Sequence, residues 1–314
     1  MIKVKTIIKL IALCLLLLSF MNIFSCGNST EKVNHSADIK SVSTIGYNLS
    51  DPDKTIILPH ILHEISGITV IDSSSVACIQ DENGIVFIFD LLKQEIKKQI
   101  LFHDNGDYEG ITRVDKTIYI LRSDGVLFEI LNYRSSGSTK KIILTGIPAN
   151  DYEGLCYDQK NNRLLIAPKG KSGKGSEFKD NHPIFGFNMT SGILIKEPVF
   201  KFNLSVLKSF AREHKAVNPK SGIKKVLASE TEISFRPSAI GIHPLTNELF
   251  VLSGIEHMLF IFDIYGTIEY MEKLNPHIFN MPEGITFLKN GDMLISNEGQ
   301  NKKPTILRFN YKLK

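Results

Sequence analysis

One five-residue string recurs along the chain and dictates what it can fold into. Asp107-Tyr108-Glu109-Gly110-Ile111 returns as Asp151-Tyr152-Glu153-Gly154-Leu155, and its last three positions return in Met281-Pro282-Glu283-Gly284-Ile285. Weaker copies are Glu64-Ile65-Ser66-Gly67-Ile68 and Arg236-Pro237-Ser238-Ala239-Ile240. The residue before the Gly or Ala serves as anchor: Ser66, Glu109, Glu153, Ser238 and Glu283, at successive steps of 43, 44, 85 and 45 residues. The long step is one period plus an insertion of about 40 residues, and a period of this length marks units that must stack to bury their apolar faces.

Each anchor opens the same pattern. A short apolar strand follows at once, as in residues 67–71, and then a turn built from Asp, Ser, Asn, Lys or Gly, which adopt turn geometry at little cost. Second and third strands come next, such as 117–121 and 85–91, and most copies add a fourth, such as 96–102. Runs such as Ile85-Val86-Phe87-Ile88-Phe89 are apolar on both faces, which suits a sheet sandwiched between neighbours. Four antiparallel strands per repeat, arranged radially, make a propeller blade. The expected fold is therefore all-β: a five-bladed β-propeller of four-stranded antiparallel blades. The fifth copy has no fourth strand before Lys314, and an orphan strand at 55–58 precedes the first anchor. Pairing the two closes the ring and removes an exposed edge; the alternative is an isolated N-terminal β-arm. One helical insertion is expected near 203–216, with Leu204, Val206, Leu207, Phe210 and Ala211 on one face and Asn203 or Ser205 as cap.

The N-terminus reads as an address. Lys3, Lys5 and Lys9 precede an unbroken apolar run over 10–18, the layout of a secretory signal, and the run is short for a spanning helix. Ile23-Phe24-Ser25-Cys26-Gly27 resembles a bacterial lipobox, although Phe24 departs from the usual residue at its position. The expected organisation is a lipoprotein signal over 1–25, a flexible tether over 26–45 and the propeller over 46–314, with Cys26 lipidated and the chain held at the membrane of the bacterial cell envelope. The alternative is an uncleaved signal anchor. The three leader lysines account for three of the formal net charge of +4, so the remainder carries about +1 and no basic stripe for nucleic acid. Of the remaining cysteines, Cys78 and Cys156 fall in inner strands of non-neighbouring repeats, and buried free thiols are favoured over a disulfide. Gly170-Lys171-Ser172-Gly173-Lys174-Gly175-Ser176 lacks phosphate-loop spacing and reads as a loop.

These motifs, together with Pro237-Ser238-Ala239-Ile240-Gly241-Ile242-His243-Pro244 and the leading Tyr47-Asn48-Leu49-Ser50-Asp51-Pro52-Asp53-Lys54, resemble the SdiA-regulated, YjiK-like propeller family over roughly residues 46–314. More distantly the pattern is similar to NHL-repeat propellers, gluconolactonase-like propellers and esterase-like phytases. The resemblance implies a five-bladed propeller, an envelope location and a calcium site, with no settled activity.

The anchors precede the innermost strand of each blade, so Glu109, Glu153 and Glu283 should point at a shared axis, with Glu64 able to join them. Asp81, Glu82 and Glu298 lie nearby or at the opposite mouth. Clustered carboxylates repel, so some must protonate or find a cation. An all-oxygen set suits Ca2+, with Mg2+ as the alternative. A salt-bridge network through Arg122, Lys169 and Arg236 would neutralise the same groups without metal. The glycines beside the anchors serve close backbone approach or positive φ. No nucleophile elbow is present, and His243 and His257 read as structural. The expected function is a calcium-binding envelope propeller, monomeric, that binds an unidentified ligand or protein partner at the channel mouth. The alternative is a metal-dependent hydrolase of a lactone, ester or phosphoester acting through an activated water, and a third reading is a metal-free interaction scaffold.

Overall fold

The computed structural model describes residues 45–148, 151–170, 180–215 and 233–312. The signal, Cys26, most of the tether and the loop at 171–179 lie outside the described residues. The rest is a five-bladed propeller. Strand β1 (Lys54–Ile57) is followed by blade 1, formed by β2 (Ile65–Asp72), β3 (Ser75–Gln80), β4 (Ile85–Asp90) and β5 (Glu95–Leu101). Blade 2 comprises β6 (Tyr108–Val114), β7 (Thr117–Arg122), β8 (Val126–Leu131) and β9 (Thr139–Leu144). Blade 3 comprises β10 (Tyr152–Asp158), β11 (Arg163–Pro168), β12 (Asn181–Asn188) and two short outer pieces, β13 (Ile193–Leu194) and β14 (Phe200–Asn203), which pair with opposite ends of β12. Pro198, which has no N–H to give, sits in the gap between those pieces. Blade 4 is β15 (Ala239–Ile242), β16 (Leu249–Ser253), β17 (Met258–Phe262) and β18 (Ile268–Lys273); blade 5 is β19 (Pro282–Phe287), β20 (Met293–Asn297) and β21 (Thr305–Phe309).

β1 completes blade 5, pairing antiparallel with β21 in the register Lys54↔Arg308 to Ile57↔Thr305. The ring is thus closed by an N-terminal strand, as the orphan strand implied. The segment ahead of β1 is stitched down as well. Lys312 N–H donates to Gly46 O (2.9 Å), Asn310 N–H to Asp53 Oδ2 (2.8 Å), and the Tyr47 hydroxyl to Gly291 O. Tyr47 packs among His243, Phe250 and Tyr311.

The core is a set of wedges between blades. Alternation along each strand sends successive side chains to opposite faces, so Cys78 and Phe87 face blade 5 while Ala77, Ile79 and Val86 face blade 2. Every residue of β3 is buried, which accounts for runs apolar on both faces. Phe87, Phe89, Phe250, Phe260, Phe262 and Phe309 are fully buried, each contributing roughly 2–3 kcal/mol by area. Cys78 and Cys156 are buried free thiols, and burial raises both.

The insertion forms α1 (Leu204–Lys215), which packs against β14 and β18 on the outer side of blades 3 and 4. Asn203 Oδ1 accepts from the N–H groups of Ser205 (2.9 Å) and Val206 (3.4 Å), so Asn203 is the cap. Leu207 and Ala211 are buried, and Leu204 and Phe210 pack against the same cluster. Val206 does not share that face: it is 56% exposed. Among the described residues no helix is long and apolar enough to cross a membrane.

Candidate functional site

The anchors occupy a local irregularity that the repeat pattern did not reveal. In blades 1, 2, 3 and 5 the inner pair shifts register across the anchor, between Ile65 and Gly67, Tyr108 and Gly110, Tyr152 and Gly154, and Pro282 and Gly284. Each of these anchors is the extra residue of a β-bulge, a device that re-aims one side chain. The preceding tyrosines brace it: both are fully buried, and their hydroxyls donate four residues back, Tyr108 to Asp104 O (2.7 Å) and Tyr152 to Pro148 O (2.6 Å).

The glycine after the anchor is fixed by close approach. A Cβ on Gly110 would lie 2.6 Å from Leu155 Cβ and 2.8 Å from Glu153 O, and none of these motif glycines has positive φ. Inner strands of adjacent blades therefore run within contact of one another. Where the anchor is serine, its hydroxyl ties one blade to the next: Ser66 Oγ donates to Tyr108 O (2.7 Å) and Ser238 Oγ to Pro282 O (2.9 Å). Where the anchor is glutamate, a carboxyl enters the same ring.

Glu109, Glu153 and Glu283 line one throat at the centre of the propeller, together with Ser66 and Ser238. The free volume there is about 10 Å³, room for one water-sized sphere. Glu153 is 3% exposed; its Oε1 is ion-paired with the Lys169 ammonium, while Oε2 is buried without a hydrogen-bond partner. Glu109 and Glu283 are half-buried.

The electrostatics follow from crowding acids into a dry ring. Burial, then the charges of Glu153 and Asp107, push the Glu109 carboxyl up to about 9. Burial also raises Glu153, to about 7, against the hydrogen bond and charge of Lys169. Glu283 is raised well above the usual carboxylate range by burial and then by Glu153 and Glu298. Burial pulls the Lys169 ammonium down, yet its bond to Glu153 and the surrounding glutamates leave it raised.

Glu64 does not line the throat. It is exposed at its rim, where its charge, after burial, helps raise Asp81 to about 6 and, after burial and Asp81, Glu298. Asp81 and Glu298 thus belong to the acidic mouth. Of the cations that sequence offered as neutralisers, Lys169 alone meets these glutamates: Arg122 pairs with Asp124 (2.8 Å) and Arg236 with Glu256 (2.6 Å). His243 Nδ1 takes the Thr246 N–H (3.1 Å), and His257 Nε2 lies 3.0 Å from Asn280 O, so both hold loops.

Among the described residues, no group of three or more His, Cys, Asp and Glu side chains is arranged to hold a metal ion. The throat nevertheless offers oxygen donors only, an orphaned buried carboxylate oxygen and room for one atom, a donor set that fits Ca2+ better than Zn2+. A cation there would compete with the Lys169 ammonium, which holds the other oxygen of Glu153.

The other end of the channel is wide. Ile68, Ile111, Leu155, Ile240 and Ile285, each one residue past the motif Gly or Ala, form an apolar belt shared by the throat and a cavity of about 760 Å³ beyond it. Two residues further on, Val70, Arg113, Tyr157, Ile242 and Phe287 line that cavity. Sequence reasoning missed this set, although its members share one offset from the anchors.

No family model matches the chain, and no curated protein matches it. Solved structures do match. Glutaminyl cyclase of Myxococcus xanthus superposes with a TM-score of 0.53 at 10% identity, covering 84% of this chain and 97% of that one. Virginiamycin B lyase from Staphylococcus aureus gives a TM-score of 0.41 at 14% identity, covering 82% and 73%. At 10% identity the likeness to the cyclase is one of fold alone; the strand topology itself makes the chain a five-bladed β-propeller.

Proposed function

We propose that this chain is an envelope-anchored, calcium-binding propeller lipoprotein of the SdiA-regulated family, a monomer whose acidic mouth binds a cation and presents it to a ligand or partner. The observation that carries the cation is Glu153 Oε2, buried and unpartnered in the throat that Glu109 and Glu283 also line. A buried carboxylate oxygen without a partner costs free energy that a hard cation recovers. Glu109, Glu153 and Glu283 would hold Ca2+, or Mg2+ more weakly, with Ser66, Ser238 and backbone carbonyls as further oxygens; the metal would supply charge neutralisation. Glu64, Asp81 and Glu298 form an outer acidic collar that concentrates cations at the entrance. Lys169 is the resident competitor, so affinity is set by exchange of an ammonium for the metal. Lipidation at Cys26 and membrane attachment rest on the leader residues.

The test is metal analysis of purified protein, then thermal melting with Ca2+ or chelator. Binding to the folded state alone raises stability by about 2.7 kcal/mol at a hundredfold excess over Kd. Wild type should melt higher in Ca2+, and Lys169→Gln should bind it more tightly. Absence of metal, with no Ca2+ shift in either protein, would leave the throat neutralised by lysine and protons alone. The hydrolase reading needs substrate space beside these carboxylates, where there is room for a single water; turnover of lactone, aryl ester or phosphoester that Glu153→Gln abolishes would restore it.

A further inference from the structure

We propose that the wide end of the channel is a second binding site, for a small organic anion with an apolar or aromatic body, such as a medium-chain or aryl-substituted carboxylate. The cavity of about 760 Å³ lies within the range of small-molecule sites. Its floor is the belt of Ile68, Ile111, Leu155, Ile240 and Ile285, all buried, and Tyr157 and Phe287 add aromatic wall. These surfaces match an apolar body.

The charges match an anionic head. Arg113 and Lys289 both line the cavity, and neither pairs with a carboxylate among the described residues. The Arg113 guanidinium is held in place by two main-chain carbonyls: Nε donates to Val70 O (2.8 Å) and Nη1 to Asp115 O (2.8 Å). A guanidinium braced on neutral carbonyls keeps its full charge and loses little freedom when an anion arrives. Of the other charged residues that line the cavity, Arg308 pairs with Asp292 and Asp72 with Arg134. An adjoining cleft of about 410 Å³ shares Tyr157, Gln159, Ile242 and Pro244, so a longer chain has somewhere to run. The molecule is therefore bipolar along its axis: acids at the throat, unpaired cations at the far end, and an apolar belt between them. This site is independent of the cation at the acidic mouth.

Octanoate and 3-phenylpropionate are the probes, set against octanamide, 3-phenylpropionamide and octylamine in calorimetric titrations and thermal melts. The anions should bind and raise the melting temperature, while the amides and the amine should bind at least tenfold more weakly. Binding should be the same in Ca2+ and in chelator, which separates failure here from failure at the throat. Lys289 is exposed on a turn, so Lys289→Gln retains the fold; it should weaken the anions several-fold and leave the amides unchanged. Arg113→Met should weaken the anions further, with Arg113→Lys recovering part of the loss. Equal binding of anions and amides, indifference to both variants, or no anion binding at millimolar concentration would overturn the proposal.

Discussion

Replacing Glu109 with Gln should stabilise the protein at neutral pH, by an amount the throat fixes. In the unfolded chain this carboxyl ionises near its ordinary value of 4.5, whereas in the fold burial, Glu153 and Asp107 carry it to about 9. The folded state therefore holds the proton more tightly. Its contribution to stability is whole below pH 4.5 and is lost as pH rises towards 9, at about 1.4 kcal/mol per unit. At pH 7 that is about 2.5 units, or on the order of 3 kcal/mol. Gln keeps the shape and carries no proton equilibrium, so Glu109→Gln should be more stable than wild type by up to that amount at pH 7 and equal to it near pH 4.5. Partial water access to the half-buried side chain would reduce the gain, to about 1 kcal/mol at the low end. Either figure is resolvable: at roughly 2–4 °C per kcal/mol for a domain approaching this size, the shift in melting temperature spans about 2–12 °C. Melts in chelator from pH 4.5 to 9 are the assay. Identical profiles for variant and wild type would refute the placement of Glu109 in a dry ring with other acids.

Three further outcomes follow from the same geometry. Lys169→Met strips Glu153 of its partner, so chelator-treated protein should lose about 3–5 kcal/mol at pH 8 and recover much of it in Ca2+, as followed by urea melts. Gly110→Ala places a methyl 2.6 Å from Leu155 Cβ and should cost about 1–3 kcal/mol by the same measurement. Removing residues 1–63 takes away β1 and leaves the β21 edge open; size-exclusion chromatography should then show larger assemblies than the untruncated chain forms.

The ring was legible because each blade must bury two faces, which imprints a period of about 44 residues and the same apolar runs. The site was partly legible for a related reason. The glycine that lets inner strands touch is sterically fixed, so Glu109, Glu153 and Glu283 announced themselves beside Gly110, Gly154 and Gly284. Distances in space were not legible. Glu64 lies two residues before an anchor, yet the bulge and the inward turn of the strand leave it at the rim. Arg122 and Arg236 sit at strand ends much as Lys169 does, but Asp124 and Glu256 are nearer. Val206 satisfied helical spacing on paper, although one face of α1 buries only what β14 and β18 reach. The wide cavity was hidden by chemistry: Arg113, Tyr157 and Phe287 share a register position and no residue type, and an eye searching for recurring letters passes over them.

The convergence of carboxyls from three blades is open to direct observation by a pH titration of carbon-labelled glutamate carboxyl resonances in chelator. At least two side-chain carboxyls should titrate above pH 6.5; Glu109→Gln should delete the one near 9, and Glu153→Gln should lower it. Glutamate carboxyls that all titrate between pH 4 and 5, undisturbed by either substitution, would contradict the account.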